Sequence, residues 1–312
     1  MRIPQLSAGP VLLVGLTFAC LLYCALPSPP AGRHAVVIGI NVYNIVKPNL
    51  TFAKPDAISL TSLLSTTGWT VDATLVDGQA TKEGIRKAIA SLAAEVGSDS
   101  TVLVYYSGHG VSLSGQAYIA PCDTHSNLSP DSLISMPEIN AWVNAIPCAN
   151  RLLILDSCYS GGFVDTASSI DTAPQNYGPY DNGTEAAFLP TVLGNAGGLL
   201  AKAMSQGSDP SILTISAAGS EEQSYDGDRS PDGIASGHGA FTYFLLQAGS
   251  ASAADTDGNK LVTAVEAYGY AKDQLKKTWN AKYWSTPDGS MYMDFLPHIS
   301  GGSGDIVLYD RR

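Results

Sequence analysis

Three unbroken apolar runs constrain this chain more than any other feature: His34 to Ile40 (HAVVIGI), Thr101 to Tyr106 (TVLVYY) and Arg151 to Asp156 (RLLILD). Each is a continuous apolar stretch that lacks polar alternation, the first two rich in β-branched or aromatic residues, so each reads as a strand covered on both faces. Helical patterns separate them. Pro55 to Thr66 carries Ile58, Leu60, Leu63 and Leu64 at mixed helical spacing, with Pro55 suited to a first turn and Gly68 to a stop. Trp69 to Val76 (WTVDATLV) reads as a further strand, and Thr81 then opens a helix with Ile85, Ile89, Leu92 and Val96 on one face, ended by Gly97. A weaker helical pattern fills Pro137 to Ala145. The order β-α-β-α-β-α-β predicts an α/β fold with a mostly parallel central sheet and helices on both faces. Reacting groups in such sheets gather beyond the carboxyl ends of the strands.

Past the third run, residues 166–210 are rich in Gly, Pro, Ser, Asn and Asp and read as a long exposed excursion. Regular patterning resumes at SILTISA, 211–217, followed by helices over about 239–247 and 263–277. No internal repeat is visible. With 45% hydrophobic and only 14% charged residues in 312, the chain can close a sizeable core. A formal net charge of −11 leaves no large basic surface for phosphate backbones, which argues against nucleic acid and favours cationic partners.

Residues 11–26 (VLLVGLTFACLLYCAL) form a charge-free apolar run behind Arg2 and ahead of PSPPAG, the order of a secretory leader. The expectation is an exported protein with a leader or short N-terminal anchor over residues 1–32. Any membrane contact is then expected only through that segment. Ala25 and Ala31 are candidate last residues of a leader, although Tyr23 and Pro29 suit poorly the position two before each; Cys20 is a weak lipid-attachment candidate. Cys20 and Cys24 belong to this run, so only three cysteines remain for the domain and no disulfide framework is expected. Cys122 and Cys148 either pair or lie buried as small hydrophobes.

Two motifs carry chemistry. Tyr105 to Gly110 (YYSGHG) sets His109 between glycines directly after a strand, and Asp156 to Gly162 (DSCYSGG) does the same for Cys158. A thiol needs a neighbouring base or cation to supply thiolate at neutral pH, and an imidazole at an adjacent strand end meets that need. Attack on a carbonyl would create an oxyanion, for which the backbone N–H groups of Gly110 and Cys158 are candidate donors. His109 would then protonate the leaving amine. A metal site is the weaker alternative, because His109, Asp123, His125 and Cys158 include no close ligand pair.

These motifs, with ILTISAAGSEEQSYD and GHGAFTYFLL downstream, resemble the caspase-like cysteine peptidases, specifically the metacaspase and bacterial caspase-like branch, over about His34 to Leu275. The resemblance implies a three-layer caspase-type sandwich over 33–312. Its large-subunit-like part would be 33–165, its linker 166–210 and its small-subunit-like part 211–312. It also implies Cys158 and His109 as a dyad, and a pocket of Asp56 (in KPDAISL), Asp156 and Ser107 that takes Arg or Lys before the cut bond. Asp56 reads equally as a helix-start residue favoured by the dipole.

The dyad needs no cofactor. Calcium activation in the resembling family points to Asp165 as a weak ligand candidate, and Asp255, Asp257, Asn259 and Glu266 match four ligand positions of an EF-hand loop. Lys260 stands there in place of the usual glycine, and Thr263 with Glu266 forms a capping box that accounts for the glutamate without metal. Lys202 is the only Lys or Arg between Arg151 and Arg229, which makes it the expected point of any self-cleavage. A non-catalytic interaction module and a ligase or transferase using the same acyl-enzyme stay open beside the peptidase reading.

Overall fold

The computed structural model describes residues 31–46, 49–113, 116–157, 209, 211–217, 237–279, 282–286, 289–293, 297–302 and 304–312. In chain order the elements begin with β1 (Arg33–Gly39), α1 (Ala53–Thr66), β2 (Thr70–Val76), α2 (Lys82–Glu95) and β3 (Thr101–Ser107). Next come β4 (Gly110–Leu113), β5 (Gln116–Ile119), β6 (Ile134–Ser135), α3 (Met136–Asn144) and β7 (Asn150–Asp156). The C-terminal part holds β8 (Leu213–Ser216), α4 (Ala240–Ala248), β9 (Leu261–Thr263), α5 (Ala264–Thr278), β10 (Lys282–Thr286), β11 (Gly289–Met293), β12 (His298–Ser300) and β13 (Val307–Asp310).

A six-stranded sheet in the order β12-β8-β7-β3-β1-β2 forms the centre. All its pairings are parallel except the edge pair of β12 with β8. The three apolar runs are the neighbours β1, β3 and β7, as their lack of alternation requires. Ala35, Val37, Leu103, Tyr105, Leu152 and Ile154 face one layer with Leu60 and Leu64 of α1, Phe241 and Leu245 of α4, and Ala267 and Leu275 of α5. Their sequence neighbours Val36, Ile38, Val102, Val104, Leu153 and Leu155 face the other, against Ile85, Ile89 and Leu92 of α2 and Ile139 and Val143 of α3. The predicted three-layer α/β sandwich is therefore the observed one.

Helix starts follow the local chemistry. Thr81 accepts the Gly84 N–H ahead of α2, and Ser135 with Glu138, like Thr263 with Glu266, forms a reciprocal capping box ahead of α3 and α5. Strands β9 to β13 were not expected from the sequence, and two further features depart from that reading. Ile58, assigned there to the apolar pattern of α1, is 51% exposed, because α1 packs through Ala57, Leu60 and Leu64 instead. A small antiparallel sheet, β4-β5-β6, also intervenes between β3 and α3 where no element was expected.

Cys122 and Cys148 are buried free thiols, which decides the pairing question for this structure. Burial, with Asp123 and Asp77 nearby, pushes Cys122 up to about 11 and leaves it a poor nucleophile. Among the described residues no helix is long and apolar enough to cross a membrane. Residues 1–30, Cys158, Asp165 and Lys202 lie outside the described residues.

Candidate active site

The in-register pairing of three strands builds the site. Gly39 pairs with Ser107 across β1 and β3, and Ser107 pairs with Asp156 across β3 and β7, so the three carboxyl ends stop level with one another. The Gly108 N–H continues the ladder by donating to the Asp156 carbonyl at 3.2 Å. Gly108 and Ser157 thus follow directly on paired strand ends.

His109 is held through its backbone. Its N–H donates to the Tyr43 hydroxyl at 2.7 Å, and the Tyr106 hydroxyl lies 2.8 Å from its carbonyl oxygen and 2.9 Å from that of Ala120. The Tyr43 ring sits 4.7 Å from the imidazole, tilted by 40°. Gly108 fits between these groups: a Cβ there would come within 2.5 Å of the Tyr106 hydroxyl and 2.7 Å of the Tyr43 hydroxyl. Close packing against two buried tyrosines accounts for glycine at this position. Gly110 is buried at the start of β4, opposite Ile119.

The acidic residues gather at the start of α4. Asp56, in the first turn of α1, is 1% exposed and accepts from Ser107 Oγ at 3.2 Å, from His238 Nδ1 at 2.8 Å and from the Gly239 N–H at 3.2 Å to each oxygen. Asp156, 5% exposed, accepts from the Thr242 N–H at 3.2 Å and from Thr242 Oγ1 at 2.6 Å, and Tyr105 Oη lies 2.6 Å from the same Thr242 oxygen. Gly239 is the N-cap of α4 and Thr242 its third residue, so the two carboxylates take up N–H groups at the positive end of that helix. A Cβ on Gly239 would lie 2.9 Å from Asp156 Oδ2 and 3.0 Å from Asp56 Oδ2, which fixes glycine between the acids. Burial pushes Asp56 up to about 7, Asp156 adds to the rise, and hydrogen bonds from His238 and Gly239 oppose it.

The structure therefore brings Asp56, Ser107 and Asp156 together, and it adds three residues the motifs did not single out: Tyr43, His238 and Thr242. Gly237-His238-Gly239 repeats the glycine-histidine-glycine pattern of 108–110, a signal that could have found His238. Asp123 and His125 serve local structure: Asp123 accepts the Lys82 N–H at 2.9 Å, and the His125 N–H donates to Ser132 Oγ at 3.1 Å.

Elsewhere, Asp255, Asp257 and Glu266 place one possible ligand atom each within 4.8 Å of one another. Most of their oxygens already accept bonds from the chain, while the buried Asp255 Oδ1 has no hydrogen-bond partner among the described residues. Asp255 takes the Lys260 N–H and Glu266 takes the N–H and hydroxyl groups of both Thr256 and Thr263. Burial pushes Glu266 up, but those bonds outweigh it and hold the carboxyl at about 2. Lys260 adopts a left-handed φ of 67°, taking the backbone conformation that glycine usually supplies.

Comparison with known proteins bears on this arrangement. Over an alignment 100 residues long, covering 28% of this chain and 22% of the other protein's length, the chain is 33% identical to Metacaspase-4 of Arabidopsis thaliana. Among solved structures, a Geobacter sulfurreducens protein superposes with a TM-score of 0.54 at 18% identity, covering 91% of this chain and 98% of the other. Caspase-1 of Spodoptera frugiperda superposes with a TM-score of 0.53 at 14% identity, covering 91% and 92%. The family model of the caspase domain matches residues 32–280. This chain belongs to the caspase-domain family of cysteine peptidases.

Proposed function

We propose that this protein is an endopeptidase in which Cys158 is the nucleophile and His109 the proton-transfer partner, and that it cuts after Arg or Lys. The observation that carries the reading is the pairing of Ser107 with Asp156 at adjacent strand ends, because His109 and Cys158 each follow two residues after one member of that pair. Family membership supports the same chemistry.

In the proposed reaction the Cys158 thiolate attacks the scissile carbonyl carbon while the N–H groups of Gly110 and Cys158 receive the developing oxyanion. Protonated His109 gives its proton to the leaving amine as the C–N bond breaks, leaving a thioester on Cys158. Neutral His109 then takes a proton from water, which attacks the thioester and releases the acid and the thiolate. No cofactor enters these steps. The substrate is a protein or peptide, and Asp56, Asp156 and Ser107 supply the acidic pocket for its basic side chain by charge-assisted hydrogen bonds. The proposal extends to an exported location, to a large-subunit-like part over 33–165 and to a small-subunit-like part over 211–312.

A panel of peptides differing only in Arg, Lys, citrulline or Asp before the cut bond, offered to wild type and Cys158→Ala, tests the reading. Cleavage of the Arg and Lys peptides by wild type alone is expected, with products that stay hydrolysed when a free amine is added. Preference for Asp would reject the acidic pocket, amine capture would reassign the enzyme as a transferase, and equal inertness of both proteins would leave a binding module.

A further inference from the structure

The acid pair has a partner that the proposed reaction does not use. His238 lies 182 residues from Asp56 in the chain, yet its Nδ1 stands 2.8 Å from Asp56 Oδ1. The histidine side chain is 21% exposed and the aspartate side chain 1%, so the imidazole bridges a buried carboxylate to solvent. Among the described residues, Asp56 is faced by His238 and the Gly239 N–H from the turn before α4, by Asp156 from β7, and by Ser107 and Tyr105 from β3. The Tyr243 ring of α4 lies near His238, its centroid 6.3 Å away. Of these groups only His238 can carry positive charge. Two carboxylates buried at one place repel, and one of them takes up a proton unless a donor or cation holds it ionised.

We propose that His238 is a positioning residue that holds Asp56 as an anion in the pocket, and that it thereby sets the pH above which the pocket accepts a basic side chain. This rests on the reading of Asp56, Asp156 and Ser107 as the substrate pocket. The directions agree with the geometry. Burial and Asp156 drive Asp56 toward its neutral form, while the hydrogen bond and charge of His238 act the other way. At a pH near 7 the carboxyl is therefore poised, and the imidazole decides which form an arriving guanidinium meets. His238 itself leaves the reacting atoms to Cys158 and His109.

The test is the ratio of kcat/KM for an Arg peptide to that for the matching citrulline peptide, measured from pH 5 to 9. Citrulline keeps the shape of Arg without its charge, and titration of the dyad acts on both peptides and cancels in the ratio. In wild type the ratio rises through about pH 7. In His238→Ala the midpoint moves up by about one unit, which lowers the ratio at pH 7 by up to about tenfold. The loss appears in KM for the Arg peptide rather than in its kcat. His238→Gln, which restores a neutral donor, recovers part of the shift and decides the matter should the alanine variant not fold. A midpoint unchanged in the folded variants, with Arg still preferred, overturns the role of His238 and leaves the pocket standing. A wild-type ratio of one at every pH overturns the pocket itself.

Discussion

The Tyr43 hydroxyl accepts the backbone N–H of His109 at 2.7 Å while the Tyr43 ring lies 4.7 Å from the imidazole, so one buried side chain touches both ends of the proposed acid/base residue. Tyr43→Phe keeps the ring and leaves that N–H without its acceptor, which costs about 1–3 kcal/mol. A misplaced imidazole slows chemistry more than binding, so kcat is expected to fall by about 10- to 100-fold with KM little changed. Steady-state kinetics beside a thermal melt separate the two effects. A variant with wild-type kcat would remove Tyr43 from the positioning of His109.

Replacing Cys158 or His109 should abolish turnover for different reasons. Cys158→Ala removes the nucleophile and all labelling by an iodoacetamide probe at that site, whereas His109→Ala keeps the thiol and slows its labelling near pH 7. Loss of kcat on the order of 10³-fold or more is expected in each, and the double variant should be little worse than either. Mass spectrometry of the labelled peptide checks the assignment to Cys158.

Asp56 makes a signed prediction for stability. Its carboxyl is pushed up from 3.8 to about 7 in the folded chain, mainly by burial. The native state therefore binds this proton more tightly than the unfolded chain does. The associated stability is fully present below about pH 4 and is lost as pH rises through about 7. Asp56→Asn cannot ionise, so the difference in unfolding free energy between variant and wild type should shift in favour of the variant over that window. Urea titrations at pH 4, 5.5, 7 and 8 read it, and a flat difference would contradict the assigned burial effect.

Gly239→Ala tests the spacing of the acids. The added methyl would meet Asp156 Oδ2 at 2.9 Å and Asp56 Oδ2 at 3.0 Å, so the carboxylates must move. The Arg-to-citrulline ratio is expected to drop several-fold while cleavage of the citrulline peptide changes less. Equal losses on both peptides would place the damage at the dyad.

Lys202 is the expected point of self-processing. Mass mapping of purified wild type should place any break after a basic residue of the linker between Lys202 and Ala203, and that break should be missing in Cys158→Ala. A processed chain with that bond intact rejects the assignment.

The central sheet was legible because β1, β3 and β7 are covered on both faces, which forces the unbroken runs HAVVIGI, TVLVYY and RLLILD. Helices α2 and α5 announce themselves through Thr81 and Thr263, since capping is a contact between near neighbours, whereas the Ser135 cap of α3 was read only from the structure. The sheet β4-β5-β6 was hidden because strands of two to four residues are too short to show a period. Ile58 misled for the opposite reason: an apolar residue fits a helical pattern whether or not a neighbour covers it. Asp56, Asp156 and Ser107 came from motif likeness. The contact of Asp56 with His238 spans 182 residues and leaves no trace in local spacing.

Strand β8 lies parallel beside β7, with Leu152 opposite Leu213 and Leu155 opposite Ser216. Severing the backbone at Lys202 would therefore give two polypeptides that migrate apart in detergent and together in native buffer. The acids would then belong to one polypeptide, and the imidazole, the glycine and the threonine that hold them to the other. Recognition would become a shared property of a nicked pair, and either fragment expressed alone should be blind to Arg.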